Sequence, residues 1–190
     1  MKKNFILGIV TIVTLGWFSV ATAEQPKKGD VFFTRTNLKA SGGQIYFHNL
    51  SANKGFIPVG TQVRVQKVTK AHITIETVTD KATYDMAVFV DKFDKYFVKN
   101  VDEIGLNKIS HQYMERIKSM KIDYGMTKEE VFISRGCPSF IGRGEKTYAI
   151  SLENIMQSDI WYYNQGSSRV ETRVEFKDGV VSKVGSPSGK

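Results

Sequence analysis

The chain has 190 residues, of which 41% are hydrophobic and 24% are charged, and its formal net charge is +8. These values are ordinary for a globular protein, and they exclude a collagen, a disordered tail and a protein with many membrane spans. One cysteine, Cys137, and three histidines exclude an internal disulfide and a zinc site built on several cysteines. We therefore predict no metal and no cofactor.

The first 23 residues are predicted to be an export signal. Two lysines precede an uncharged apolar run over residues 5–20, and a small-x-small pattern that signal peptidase accepts ends at Ala23. The run is shorter than the roughly 20 apolar residues that span a bilayer. The residue after Ala23 is Glu24, not a cysteine that could carry a lipid. We expect a periplasmic or secreted protein, cleaved after Ala23, with no lipid anchor and no transmembrane helix in the mature chain.

Residues 24–100 are predicted to form a β-rich module. Apolar and polar residues alternate over residues 63–68 and 72–78, which is typical of half-buried strands, and a hairpin turn is expected between them. Further β-prone runs lie at residues 31–33, 44–47, 87–90 and 96–98. Short strands at this spacing predict a small antiparallel β-barrel or sandwich.

One part of this module resembles a known family. The letters T-N-L-K at residues 36–39, followed after a loop by I-P-V-G-T-Q-V-R-V at residues 57–65, are similar to bacterial SH3-type domains. Members of that family often bind cell-wall peptides, so the resemblance implies a ligand in the cell envelope.

Residues 101–190 are predicted to begin with two helices. Apolar residues at positions 106, 109, 113, 117 and 120 draw one stripe down a helix of about four turns. A second helix starts at Thr127, where Thr127 and Glu130 form a capping box. Gly136 and Pro138 end this helix after about two turns.

The chain is then predicted to return to β-structure. Residues 147–150, 159–163 and 170–176 are β-prone, and Asp178-Gly179 marks a hairpin turn before a return strand from Val180. Gly125-Met126-Thr127, Glu130-Val131, Gly136, Pro138, Trp161, Tyr163, Phe176, Gly179 and Val180 follow the order of a known family pattern.

This pattern resembles the SmpA/OmlA (BamE-like) family of outer-membrane assembly lipoproteins over residues 104–184. The resemblance implies two helices packed on a three-stranded antiparallel sheet and a role in outer-membrane protein assembly. The same fold occurs in secreted β-lactamase-inhibitor proteins. We therefore predict an α+β protein with a signal peptide at residues 1–23, the β-rich SH3-like module at residues 24–100 and a BamE-like module at residues 101–190.

No group of residues predicts catalysis. Cys137 follows the end of a helix, where a thiolate is disfavoured, and the spacing of the histidines places none of them beside it. The sequence contains no metalloprotease, nucleophile-elbow or phosphate-binding motif. We predict that the protein is not an enzyme.

Aromatic and arginine side chains are the candidate partner-binding residues. Trp161 and Tyr163 share one face of their strand and are expected inside, which turns Tyr162 outward. Exposed aromatics beside arginine are good anchors for protein binding. The candidates are Trp161, Tyr162, Tyr163, Arg169, Arg173, Phe140 and Tyr148.

These observations predict an exported, non-enzymatic binding protein of the cell envelope. Its partner would be an envelope protein or a cell-wall component, with a link to outer-membrane protein assembly or envelope integrity. Two alternatives are an inhibitor of a secreted enzyme and a cell-wall-binding module. The mild positive charge allows a weak contact with anionic lipid, whereas nucleic acid is not expected to be a partner.

Overall fold

The computed structural model describes residues 25–45, 55–165 and 169–185. The predicted export signal and His48 lie outside these ranges. Within the described ranges the backbone forms two sheets, three α-helices and four 3-10 helices. The strands are β1 Val31–Thr34, β2 Leu38–Ser41, β3 Gln44–Ile45, β4 Phe56–Ile57, β5 Gln62–Val68, β6 His72–Thr77, β7 Thr83–Ala87, β8 Phe97–Val98, β9 Phe140–Ile141, β10 Glu145–Lys146, β11 Ile160–Gln165, β12 Arg169–Lys177 and β13 Val180–Gly185.

The first sheet contains eight strands in the order β4-β2-β3-β7-β6-β5-β1-β8 and curls into a half-barrel. Its β5–β6 hairpin has Val63, Val65, Ile73 and Ile75 buried on the inner face. Each such side chain stabilises the fold by about 1.5–3 kcal/mol through burial. The alternation of apolar and polar residues in the sequence therefore correctly predicts which face of β5 and β6 is buried. The pairing of β3 with β7 is parallel, while the other strand pairs of this sheet are antiparallel.

The second sheet contains five antiparallel strands in the order β10-β9-β11-β12-β13. Its inner face centres on Trp161, which is fully buried. The Trp161 ring lies edge-on to Phe176, with 4.8 Å between ring centres, and to Phe132 at 6.4 Å. The indole nitrogen donates hydrogen bonds to the carbonyl oxygens of Ile155 and Ser158.

The helices are short and lie between and beside the sheets. They are α1 His111–Lys118, α2 Lys128–Arg135 and α3 Leu152–Gln157. The 3-10 helices are Val90–Lys95, Val101–Ile104, Leu106–Lys108 and Thr147–Ala149. The predicted capping box is confirmed: the Thr127 hydroxyl accepts from the Glu130 amide, and Glu130 accepts from the Thr127 amide. Gly136, at a φ of 80°, ends α2 as predicted.

The predicted fold class, an α+β protein with a BamE-like second module, is wrong. The protein is mostly sheet, and it does not contain two helices packed on a three-stranded sheet. The apolar stripe of residues 106–120 is not one helix, because Ile109 is extended and α1 ends at Lys118, before Met120. The stripe is instead divided between the 3-10 helix Leu106–Lys108 and α1.

Two more differences explain the extra β-structure. The β9–β10 hairpin adds two strands to the second sheet, which makes five instead of three. In the first sheet, β2, β3 and β4 extend the five strands β1, β5, β6, β7 and β8, so the predicted small antiparallel barrel is not formed.

Residues 147–150 were predicted as a strand, but they begin with a 3-10 helix. Their carbonyl groups turn towards the Lys95 side chain, which holds them in this conformation.

Buried polar side chains join the first sheet to the residues that follow it. The Asn37 side chain donates to the carbonyl oxygens of Ile117 and Ser134, and it accepts from the Val59 amide. One cluster of buried hydrophobic residues also extends across both sheets. The two sheets therefore share one hydrophobic interior. The predicted division into two modules at residue 100 stays a prediction.

Candidate binding surface

Five residues form a straight row across the outer face of the second sheet. In strand order the row is Lys146 on β10, Phe140 on β9, Tyr162 on β11, Arg173 on β12 and Gly185 on β13. Each is the direct cross-strand partner of the next, and such partners point to the same face with Cβ atoms about 4.5–5.5 Å apart. We call this set the cross-sheet row. It places two aromatic rings between two cations.

The central side chains of the row contact one another. Phe140, Tyr162 and Arg173 are half-buried, and the Arg173 guanidinium carbon lies 6.0 Å from the centre of the Tyr162 ring. A guanidinium at this distance from an aromatic ring is attracted to it electrostatically. This contact limits the freedom of both side chains, so the surface is partly organised before a partner arrives.

A shallow cleft opens beside the row. It has a volume of about 330 Å3 and is lined by Phe140, Tyr162, Arg143 and Gly144. Arg143 and Gly144 belong to the exposed turn between β9 and β10, and the φ of 108° at Gly144 is one that favours glycine. The cleft therefore has two aromatic walls and a cationic rim, and it is large enough for one apolar side chain.

The charges on this face are unequal. The Glu175 carboxylate lies 3.4 Å from an Arg173 nitrogen and also 3.4 Å from the Lys183 nitrogen, so one anion is shared by two cations. At the other end of the row, Lys146 and Arg143 add two exposed cations. These five side chains together carry a net positive charge.

Two of the predicted partner-binding residues lie behind this surface. Trp161 and Tyr163 are fully buried. The Tyr163 hydroxyl donates to the Gly136 carbonyl oxygen over 3.1 Å, and burial raises the pKa of this phenol well above its usual value. Both side chains are placed to hold the sheet against the helices, and the row in front of them consequently stands on a packed support.

The other predicted residues are distributed as follows. Phe140, Tyr162 and Arg173 come together in the row, whereas Arg169 lies on β12 with its side chain outside the described part of the chain. Tyr148 is on a different surface, where it is 38% exposed and its ring centre lies 6.0 Å from that of Phe89.

Phe89 and Tyr148 stand at a second cleft of about 280 Å3. Its other walls are Ala71, His72, Ala87, Val88 and Tyr96. The sequence also placed the segment from residue 141 to Lys146 among the candidates, but it missed Phe89 and the pairing of the row, because the pattern of one strand does not show which residues of distant strands lie opposite each other. For Phe89 no local pattern distinguishes an exposed aromatic from a core residue.

The side chains considered for catalysis are placed apart. Cys137 is buried, which raises the pKa of its thiol, and its sulfur lies 3.5 Å from the Thr147 hydroxyl. His72 and His111 are exposed on β6 and α1. Among the described residues, no three or more His, Cys, Asp and Glu side chains are grouped as metal ligands would be.

A buried ammonium group lies next to Cys137. Lys95 is fully buried, and its nitrogen donates to the carbonyl oxygens of Thr147 at 2.7 Å and Ile150 at 3.0 Å. Burial lowers the pKa of Lys95. The Lys95 nitrogen also donates to the carbonyl oxygen of Tyr148 at 3.3 Å. These three hydrogen bonds hold the segment that carries the Tyr148 ring.

No protein-family model, no curated protein and no solved structure matches the chain. In the described part of the chain, none of the helices has both the length and the apolar character needed to cross a bilayer.

Proposed function

We propose that this chain is an exported, non-enzymatic binding protein of the cell envelope that holds another envelope protein against the cross-sheet row. The row itself carries the proposal. Aromatic and arginine side chains supply most of the binding energy at protein interfaces when they stand next to a pocket that excludes water. Phe140 and Tyr162 line the cleft, Arg173 lies over the Tyr162 ring, and the packed inner face of the sheet lies behind all three. The export signal read from the sequence supports the compartment.

Two classes of partner are consistent with this surface. A component of outer-membrane protein assembly is the class implied by the family resemblance over residues 104–184. A secreted enzyme is the other, with the row occupying the enzyme as an inhibitor would. Both partner classes predict the same contact residues. Identification of the captured protein distinguishes them, and an inhibited enzyme would also lose activity when it binds.

Capture from an envelope extract tests the proposal. Immobilised mature protein is compared with Tyr162→Ala and with Tyr124→Ala, a matched control whose ring is 59% exposed outside the row. We expect Tyr162→Ala to lose at least tenfold of the captured partner and Tyr124→Ala to retain it. Equal capture by both variants would contradict a binding role for the row.

Export has its own measurement. A protein purified from the periplasm or the medium is expected to begin at Glu24, which intact-mass analysis determines directly. A full-length mass, or a chain confined to the cytoplasm, would contradict the proposed compartment.

A second candidate function is cell-wall binding by the first sheet. It is favoured by the cleft of about 280 Å3 whose walls include His72 on β6 and Ala87 on β7. The exposed Phe89 and Tyr148 rings supply a surface on that side. Co-sedimentation with purified peptidoglycan tests this function, with Phe89→Ser and Tyr148→Ser expected to weaken it and Tyr162→Ala expected to leave it unchanged.

A further inference from the structure

We propose that the segment bound by the cross-sheet row is an extended acidic peptide in which two carboxylates stand four residues apart with an apolar side chain midway between them. This inference rests on the proposed function and adds the chemistry of the partner. It follows from the order of side chains along the row, which is cation, aromatic, aromatic, cation.

The spacing of the row sets the spacing of the carboxylates. Lys146 and Arg173 are separated by three strand intervals of about 4.8 Å, so their backbones lie about 14 Å apart. An extended chain advances about 3.3 Å per residue, and positions i and i+4 are therefore about 13 Å apart. A peptide that crosses the strands at the level of the row brings one carboxylate to each cation.

Charge complementarity selects an acidic partner. Glu175 is shared by Arg173 and Lys183, so it does not neutralise both cations. Arg173 also keeps a buried guanidinium nitrogen, Nε, without a hydrogen-bond partner among the described residues. At the opposite end, Lys146 and Arg143 are exposed. A basic partner would meet like charges at both ends, and such contacts are strongly unfavourable.

The cleft selects an apolar residue between the two acids. Its aromatic walls, Phe140 and Tyr162, occupy the two central places of the row. An apolar side chain at position i+2 of an extended peptide falls midway between the carboxylates, above this cleft. In an extended chain, positions i, i+2 and i+4 also point to the same side. One face of such a peptide therefore presents all three groups together.

Synthetic peptides test this proposal on the purified mature protein. The probe is a fluorescein-labelled peptide, G-E-S-F-S-E-G, and binding is followed by fluorescence anisotropy at 50 mM and 500 mM NaCl. One comparison peptide has both Glu replaced by Gln, and a second has Phe replaced by Gly. Two more keep the two Glu but separate them by two residues in one peptide and by eight residues in a longer one. We expect the parent peptide to bind at least threefold more tightly than each of the others at low salt. The advantage over the Gln peptide should shrink at high salt, because salt screens exposed charges.

Protein variants locate the contact. We expect Lys146→Gln and Arg173→Gln each to weaken the parent peptide about threefold, as is typical of an exposed ion pair, and to leave the Gln peptide unchanged. Tyr162→Ala should weaken both peptides. Lys67→Gln, which removes an exposed cation on β5 of the first sheet, is the control and should change neither.

The outcomes separate this inference from the function on which it rests. Equal binding of the Glu and Gln peptides, no preference for the spacing of four, or an equal effect of Lys67→Gln and Lys146→Gln overturns the inference. No detectable binding of any peptide overturns it as well. If Tyr162→Ala still abolishes capture of an envelope partner in that case, the proposed function stands and only the acidic motif is wrong. If capture is also unchanged, both fail.

Discussion

The side-chain amide of Asn37 donates a hydrogen bond of 2.7 Å to the carbonyl oxygen of Ile117, and the two residues are 80 positions apart in the chain. The same nitrogen donates to the Ser134 carbonyl oxygen at 3.0 Å, and the side-chain oxygen of Asn37 accepts from the Val59 amide at 2.9 Å. Asn37 is buried. One side chain therefore satisfies backbone groups from three separate segments, which fixes how the first sheet meets α1 and α2.

Replacing Asn37 by alanine is expected to lower the free energy of unfolding by about 3 kcal/mol. The change removes the partner of two buried carbonyl groups and of the half-buried Val59 amide, and a buried group costs about 1–3 kcal/mol when it finds no substitute. Urea unfolding followed by tryptophan fluorescence measures the loss. Asn107→Ala, at an exposed position, is the matched control and should change the free energy by less than about 0.5 kcal/mol. Similar values for the two variants would contradict the role of the Asn37 bridge.

The capping box of α2 gives a second prediction. Thr127→Ala is expected to cost about 1 kcal/mol, since it removes the acceptor of the Glu130 amide. Glu130→Ala should cost more, because the Glu130 carboxylate accepts from both the Thr127 amide at 2.9 Å and the Ser110 amide at 3.1 Å. Thermal unfolding measures both. The exposed Glu129→Ala is the control, and a larger loss there than at Glu130 would be inconsistent with the capping geometry.

Gly125 cannot accept a side chain without strain. Its φ is +80°, and a Cβ atom built on it would stand 2.6 Å from the Tyr113 hydroxyl oxygen. We expect Gly125→Ala to destabilise the protein by about 2–3 kcal/mol, of which the left-handed backbone accounts for about 1–2 kcal/mol. The rest should disappear when the substitution is made in a Tyr113→Phe background, where the hydroxyl is absent. An unchanged cost in that background would assign the whole effect to the backbone.

Burial of Cys137 predicts a dependence of stability on alkaline pH. The folded protein raises the pKa of this thiol above its ordinary value of 9.0, so the unfolded chain loses the proton first as pH rises. The stabilisation that the neutral thiol gives is fully present below pH 9 and is lost above it, by about 1.4 kcal/mol for each pH unit until the folded thiol also ionises.

Comparison with Cys137→Ala isolates this contribution. The difference in unfolding free energy between the natural protein and the variant should be constant from pH 6 to pH 8 and should shrink above pH 9. Burial, the largest cause of the lowered pKa of Lys95 and of the raised pKa of Tyr96, is present in both proteins, whereas the interaction of each group with Cys137 is lost in the variant and belongs to the measured difference. A difference that stays constant up to pH 10.5 would show that the thiol ionises equally in both states.

Local patterns in the sequence predicted the elements whose stability is local. The alternation at residues 63–68 and 72–78 and the capping box at Thr127 are confirmed as β5, β6 and the start of α2. In each case the residues that carry the pattern also make the contacts that stabilise it. The outward direction of Tyr162 was predicted in the same way, from the alternation along one strand.

Patterns that depend on distant partners misled the prediction. The stripe from residue 106 to residue 120 has helical spacing, but Ile109 is extended, so Leu106 packs from a separate 3-10 helix. Residues 147–150 are β-prone, but their carbonyl groups are held by Lys95, which lies more than 50 positions earlier. A buried lysine is rare, and nothing near it in the sequence indicates its carbonyl partners.

The cross-sheet row was partly predictable for a related reason. Phe140, Tyr162 and Arg173 were selected by residue type, yet their alignment depends on the register of three strands, which one strand alone does not reveal. Lys146 lies in the row only because β10 pairs with β9 as a two-residue strand, which places Lys146 opposite Phe140. The two ends of the row, and therefore the spacing of its charges, could not be obtained without the topology.

The Asn37 bridge also bears on when the chain can fold. A ribosome completes Asn37 long before Ser134, its partner 97 positions later, has been made. The polar interior around Asn37 thus stays incomplete through much of translation, and closing so long a loop slows folding further. The first sheet therefore cannot complete its polar interior as an independent unit, and we expect folding during synthesis to finish only after Ser134 has left the ribosome.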